Sequence, residues 1–267
     1  MLRIEGTNCE DESFQAFARL GARPEIVHLK QLIGQDTKKA EKRSLSDYQV
    51  LMLPGGFSSG DYVRAGAIWA ARMRSTLSEQ LAEFVKESRA VLGVCNGFQV
   101  LIELGLLPAL GGEMSGKPEA VLTTNDSSRF ECRPTLLRHE NKGNCIFTSK
   151  LKHGQVILCP SAHAEGKLLF PAERENIYAD LESNDQVVFR YVDPEGRYAG
   201  YPWNPNGSPF NIAGICNSEG NVLGMMPHPE RVFHRYTHPD WTRGAPQETG
   251  DGRAIFEGVL DYAAKKF

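Results

Sequence analysis

A chain of 267 residues, 41% hydrophobic and 24% charged, has the apolar content for a sizeable core and the charge for a solvated surface. Its net charge of −3 gives no electrostatic case for nucleic acid, whose readers carry basic patches. No apolar run approaches membrane-spanning length and Met1-Leu2-Arg3-Ile4-Glu5 lacks a signal-peptide pattern, so a cytoplasmic protein with no membrane partner is expected.

Residues 2–6 read as a strand. Asn8 is placed to cap a helix over 10–20, with Phe14, Phe17 and Ala18 sharing a face and Gly21 as the stop. Residues 25–29 return as a strand and complete a βαβ unit. The mixed-charge run 38–43 reads as a solvated loop or helix face. A strand follows at 49–53, ends in Pro54-Gly55-Gly56, and gives way to helical stretches near 62–74 and 77–88. Ala90-Val91-Leu92 leads through Gly93-Val94-Cys95-Asn96-Gly97 into a helix over 98–104. A strand at 156–158 precedes a loop that carries Ser161-Ala162-His163-Ala164. Residues 187–192 and 198–201 look like antiparallel strands around the turn Asp193-Pro194-Glu195-Gly196. A second hairpin, 211–216 with 222–226, delivers Pro227-His228-Pro229-Glu230. Residues 233–249 form a turn-rich loop, a candidate partner contact. The last helix, 253–265, packs Ile255, Phe256, Val259 and Leu260 on the sheet. The expected fold is α/β: one domain over 1–267, with an open, mostly parallel sheet flanked by helices and antiparallel hairpins in the C-terminal half.

The stretch 93–97 carries the chemistry. A strand, a tight turn with a thiol between two glycines, and a helix make the cysteine version of a nucleophile elbow. A Cβ at either glycine would crowd the neighbouring backbone. The sulfur lies at a helix N-terminus, where the positive dipole end favours negative charge. Alone, the pattern fits a buried structural cysteine equally well. A nucleophilic thiol needs a base, which can lie far away in sequence. Of the seven histidines, His228 stands apart because Pro227 and Pro229 bracket it and bias it towards an extended backbone. Residues two apart in such a segment share a face, so Glu230 can reach the imidazole and set its tautomer. Pro54-Gly55-Gly56 can turn sharply and expose N–H groups to a tetrahedral oxyanion, with Gly56 N–H paired to Asn96 N–H. The six cysteines form no C-x-x-C pair and no metal-like spacing, so neither a zinc site nor a disulfide framework is expected.

Gly93-Val94-Cys95-Asn96-Gly97-Phe98-Gln99, Pro54-Gly55-Gly56-Phe57-Ser58 and Pro227-His228-Pro229-Glu230 together resemble the class I glutamine amidotransferases. Gly60-Asp61-Tyr62-Val63-Arg64-Ala65-Gly66-Ala67-Ile68, Asn211-Ile212-Ala213-Gly214-Ile215-Cys216-Asn217 and Met225-Met226-Pro227-His228-Pro229-Glu230-Arg231 narrow the likeness. They are similar to the family of glutaminase subunits of phosphoribosylformylglycinamidine synthase, over essentially the whole chain. The resemblance implies Cys95 as nucleophile, His228 as general base and acid, and Glu230 as its orienting partner. Gly56 and Asn96 would form the oxyanion hole. Gln99 would help hold the substrate, and Phe57, Ser58, Ala162 and His163 would line the glutamine pocket. The family pattern has glycine where this chain has Ala164.

The implied activity is hydrolysis of glutamine to glutamate and ammonia. The ammonia would serve a synthetase subunit converting formylglycinamide ribonucleotide to formylglycinamidine ribonucleotide in de novo purine biosynthesis, alongside a small third subunit. No cofactor or metal is implied in this chain; ATP and magnesium are expected on the synthetase. The chain has no G-x-x-x-x-G-K-[ST] loop, in keeping with ATP binding elsewhere. Two other readings remain: a different enzyme on the same scaffold, such as a γ-glutamyl peptidase or another amidotransferase subunit, and a non-enzymatic assembly subunit. The intact Cys95, His228 and Glu230 argue against the latter.

Overall fold

The computed structural model describes residues 1–174, 176–243 and 248–267. β1 (Leu2–Arg3) pairs in parallel with β2 (Val27–His28), and α1 (Glu10–Arg19) connects them, as the βαβ reading anticipated. The helix is capped one residue later than expected. Cys9, not Asn8, holds the N-cap position, without a side-chain cap bond, and Glu10, Asp11 and Glu12 place negative charge at the positive dipole end. Ser13, Ala16 and Phe17 are buried on α1, while Phe14 and Ala18 lie at the margin of that face. α2 (Leu29–Ile33) follows directly, closed at its start by a capping box between His28 and Gln31.

β3 (Val50–Leu53) and β4 (Ala90–Val94) flank α3 (Ala67–Lys86), a single 20-residue helix where two stretches were expected. It starts only at Ala67 because Ser59, Gly60, Asp61 and Gly66 all have positive φ, which no continuous right-handed helix tolerates. α4 (Asn96–Leu104) packs on β3 and β4 and against α3. Then come β5 (Val121–Thr123), β6 (Glu131–His139), β7 (Val156–His163), β8 (Lys167–Leu169) and α5 (Ile177–Ser183). β9 (Val187–Val192), β10 (Ile212–Cys216), β11 (Val222–Met225) and α6 (Arg253–Lys266) complete the chain. α6 docks on α1 through the edge-on contact of Phe256 with Phe17, their ring centroids 5.2 Å apart.

The main sheet has seven strands in the order β3-β4-β11-β10-β9-β6-β7. β3, β4 and β11 are mutually parallel, and every later neighbour is antiparallel. Traced across the sheet, β9 and β7 again point with β3, β4 and β11, so five of the seven strands share one direction. The sheet is mostly parallel in that sense, though antiparallel pairing extends beyond the hairpins over its whole C-terminal side. The β10–β11 hairpin stands as expected.

Two further sequence expectations differ from the structure. Residues 198–201 form no strand, because β9 is already paired on one edge by β10 and on the other by β6. Asp193 instead closes the turn after β9, accepting from the backbone N–H groups of Glu195 and Arg197 at 3.0 and 2.8 Å. Second, β7 runs on to His163, so Ser161, Ala162 and His163 are strand residues, not loop. The turn-rich segment 233–249 includes a short 3-10 turn, Arg235–Thr237, and residues 244–247 of it lie outside the described residues. Among the described residues no helix is long and apolar enough to cross a membrane.

Candidate active site

Because β3, β4 and β11 are adjacent and parallel, their carboxyl ends lie on one edge of the sheet, where open α/β folds bind ligands. Pro54-Gly55-Gly56 follows the first, Cys95 the second and His228 the third. Cys95 has φ 51° and ψ −107°, a conformation costly for a residue with a side chain, and α4 starts immediately after it. The flanking glycines are required, as expected. A Cβ on Gly93 would lie 2.7 Å from the carbonyl oxygen of Gly97, and one on Gly97 would lie 1.9 Å from that of Leu53. The Cys95 N–H donates to Met225 O at 2.8 Å, which ties the elbow to β11. Its thiol points at Ala162 O, 3.5 Å away.

His228 is held from two sides. Its N–H donates to Pro160 O at 2.8 Å, and Nδ1 lies 2.6 Å from Glu230 Oε1 with both side chains buried. Glu230 reaches the ring by a different route from the one expected. His228 is extended, but Pro229–Val232 is a 3-10 turn, begun by a proline whose fixed φ suits that position. A Cβ built on Gly55 would lie 2.7 Å from His228 Cε1 and 3.5 Å from Cys95 Cβ. Imidazole, glycine turn and thiol therefore share one small space. Nε2 of His228 is buried and has no hydrogen-bond partner among the described residues. Burial opposes a charged ring here, yet the Glu230 carboxylate and the sulfurs of Cys95 and Cys9 hold His228 well above the ordinary histidine pKa.

The surrounding polar groups form a network. The Asn96 side chain accepts from Ser58 N–H at 3.2 Å and donates to Asp61 Oδ1 at 3.2 Å and Gln99 Oε1 at 2.9 Å. Gln99 in turn donates to Glu165 O at 2.6 Å, so both ends of its amide are engaged. Ser58 Oγ is buried without a partner among the described residues, and Phe57 is half exposed with its ring 6.2 Å from that of Phe130. His163 Nδ1 lies 3.2 Å from Asn125 Oδ1. Burial, reinforced by nearby His228, pushes the His163 pKa down to about 3, so it is a neutral ring. Ala164 is not among the positive-φ residues, so its methyl fits where the family pattern has glycine.

Sequence reasoning missed Cys9 and Asp61 as site residues. Cys9 Sγ lies 4.0 Å from His228 Nδ1 and accepts from Arg231 Nη2 at 3.2 Å. No spacing signal joins residues 9 and 228; only the docking of the α1 N-terminus on the Pro-Gly-Gly turn brings them together. Donor atoms of Cys9, His228 and Glu230 lie within 4.8 Å of one another, a set chemically able to ligate a soft cation, but the Arg231 guanidinium beside Cys9 opposes one. Asp61 carries the strain signal instead, with φ 50° and a carboxyl raised by burial.

Residues 1–263 match the model of the CobB/CobQ-like glutamine amidotransferase domain. The phosphoribosylformylglycinamidine synthase subunit PurQ of Archaeoglobus fulgidus is 54% identical, with 99% of this chain and 96% of that protein aligned. The Picrophilus torridus protein of the same name is 46% identical over 97% of this chain and 96% of its own length. Among solved structures, a chain of PurLQS from Thermotoga maritima superposes with a TM-score of 0.71 at 32% identity, covering 98% of this chain and 96% of that one. The chain therefore belongs to the CobB/CobQ-like glutamine amidotransferases and, within them, to the PurQ subunits of phosphoribosylformylglycinamidine synthase.

Proposed function

We propose that this chain is the cytoplasmic glutaminase subunit of a phosphoribosylformylglycinamidine synthase and works through Cys95, His228 and Glu230. The 2.6 Å bond between His228 and Glu230, buried beside Cys95 at the sheet edge, carries the reading. The Cys95 sulfur attacks the side-chain carbonyl carbon of glutamine, and the N–H groups of Gly56 and Asn96 receive the oxyanion. As the intermediate collapses the C–N bond breaks, and protonated His228 gives its proton to departing ammonia. The glutamyl group stays on sulfur as a thioester. Acylated sulfur carries no charge, so the ring loses one of the negative neighbours that raised it and becomes a base for water. Hydrolysis passes through a second oxyanion, releases glutamate and restores the thiol.

Phe57, Ser58, Gln99, Ala162 and His163 form the glutamine pocket in this reading. Gln99 works by bracing Asn96 against the segment after β7. The chain itself uses no cofactor; ATP and magnesium belong to the synthetase partner, which receives the ammonia in a complex with a small third subunit. The test is ammonia release from glutamine in the assembled complex with ATP and formylglycinamide ribonucleotide. Cys95→Ala is expected to abolish it while free ammonia still supports amidine formation. Full glutamine hydrolysis by Cys95→Ala would overturn the mechanism.

A further inference from the structure

The Gly55 carbonyl accepts two backbone hydrogen bonds, from Asn8 N–H at 3.2 Å and Cys9 N–H at 3.3 Å. Beside it, Phe57 N–H donates to Gly6 O at 2.8 Å and Ser59 N–H donates to Glu5 O at 2.7 Å. Thr7 thus faces Gly56 in an isolated antiparallel bridge. The bonds flank this pair and do not join it. In such a pair each facing residue turns its own N–H and C=O away from the opposite segment. The Gly56 N–H must then point away from residues 6–9.

Sheet order fixes what lies on that other side. The strand before Gly56 is β3, its neighbour is β4, and Cys95 follows β4. The trans peptide gives the same direction, because pinning the Gly55 oxygen on Asn8 and Cys9 aims the N–H of the same peptide the opposite way. Among the described residues no backbone acceptor takes the Gly56 N–H. The two segments also approach too closely for side chains. A Cβ on Gly6, at φ 93°, would lie 2.1 Å from Phe57 O, and one on Gly56, at φ 145°, would lie 2.7 Å from Thr7 Cα.

We infer that residues 6–9 are the positioning element of the oxyanion hole, holding the Gly55–Gly56 peptide with its N–H turned to Cys95 in the chain alone, before any partner binds. The inference rests on the assignment of Cys95 as nucleophile and Gly56 as a hole donor. Turning the peptide over would break both bonds to Gly55 O at once and present a carbonyl oxygen to the developing negative charge. Any dependence of glutamine hydrolysis on the synthetase therefore resides elsewhere than in a flip of this peptide.

The test compares two reactions of Cys95 in the assembled complex carrying Gly6→Ala, whose methyl must displace the Phe57 carbonyl. Glutamine hydrolysis needs the hole. Alkylation by iodoacetamide does not, because sulfur displaces iodide at a saturated carbon and no oxyanion forms. The expected result is a kcat for ammonia release lowered about 10²–10³-fold, as for loss of one hole donor, with alkylation at the wild-type rate. Equal loss of both reactions, or undiminished hydrolysis, overturns the positioning role. Cys95→Ala is the control: if it still hydrolyses glutamine, the nucleophile assignment has failed.

Should Gly6→Ala fail to fold, the wild-type chain decides. A glutamine-like chloromethyl ketone reacts through an oxyanion, so its rate of labelling Cys95, divided by that of iodoacetamide, reads the hole directly. A ratio within about tenfold between isolated chain and complex is expected, well inside the 10²–10³ attached to a hole donor. A ratio that rises by the full factor on assembly overturns the inference.

Discussion

Glu230 acts on His228 through charge and direction together. Its carboxylate is the largest of the influences that raise the imidazole, and its 2.6 Å contact with Nδ1 leaves Nε2 as the nitrogen the proposed mechanism uses. Glu230→Gln keeps the shape and removes the charge. It should lower kcat for ammonia release about 10²–10⁴-fold, the range for impaired acid–base catalysis, and leave KM nearly unchanged. The sign of the pH effect also follows. Without the carboxylate the ring gives up its proton at lower pH, so the alkaline fall in kcat, where the leaving-group acid is lost, should move down the pH axis. A pH profile of ammonia release checks both points, and an alkaline limb that stays in place would separate Glu230 from the proton affinity of His228. At this scale the site was legible because chain chemistry marks it: glycines about Cys95, prolines about His228. Cys9 bears no such mark, since its place beside His228 depends on how α1 docks.

Among elements, legibility followed whether one segment announces its own period. β3, β4, β10 and β11 are apolar runs between turn formers, and each appeared within a residue or two of its predicted span. β6 was missed, and β7 was cut short, for a physical reason. Pro134 faces Pro160 across the β6–β7 pairing, and proline inside a run reads as a strand breaker. β6 also buries alternate residues only in part and carries Glu131, Arg133 and Arg138, so its pattern is legible only against β7 and β9. The elbow sets the tightest inter-element tolerance. Gly97 lets the start of α4 approach the end of β3, where a methyl would sit 1.9 Å from Leu53 O. Gly97→Ala must push α4 off the sheet and shift Asn96 with it. A stability loss of about 1–3 kcal/mol in chemical denaturation is expected, the usual cost of overpacking, with glutaminase activity falling further than stability alone explains. Activity intact at full stability would mean that the α4–β3 approach does not hold the elbow.

Over the whole molecule, buried histidines give the fold opposing responses to pH. His163 titrates near 3 in the folded chain against 6.5 when free, because burial beside His228 excludes the charged ring. Its contribution to stability is complete above the unfolded value and is lost as pH falls from 6.5 towards about 3, where the native ring at last takes a proton. His228 is raised, so its contribution is complete below 6.5 and is lost as pH climbs through its folded value. Between pH 5 and 6.5 the contribution of His228 is common to both proteins, so the difference between wild type and a His163 variant isolates His163. His163→Gln keeps a polar group near Asn125 and cannot titrate. The variant should be less stable at pH 7, since it loses the fit of the ring against Asn125 and Gly166. Its stability should nevertheless decline less steeply on acidification, by up to one proton, about 1.4 kcal/mol per pH unit. Urea midpoints across that window measure the slope. Parallel curves for the two proteins would mean that His163 takes up a proton in the folded state as readily as in the unfolded chain, and that the pocket beside His228 admits charge.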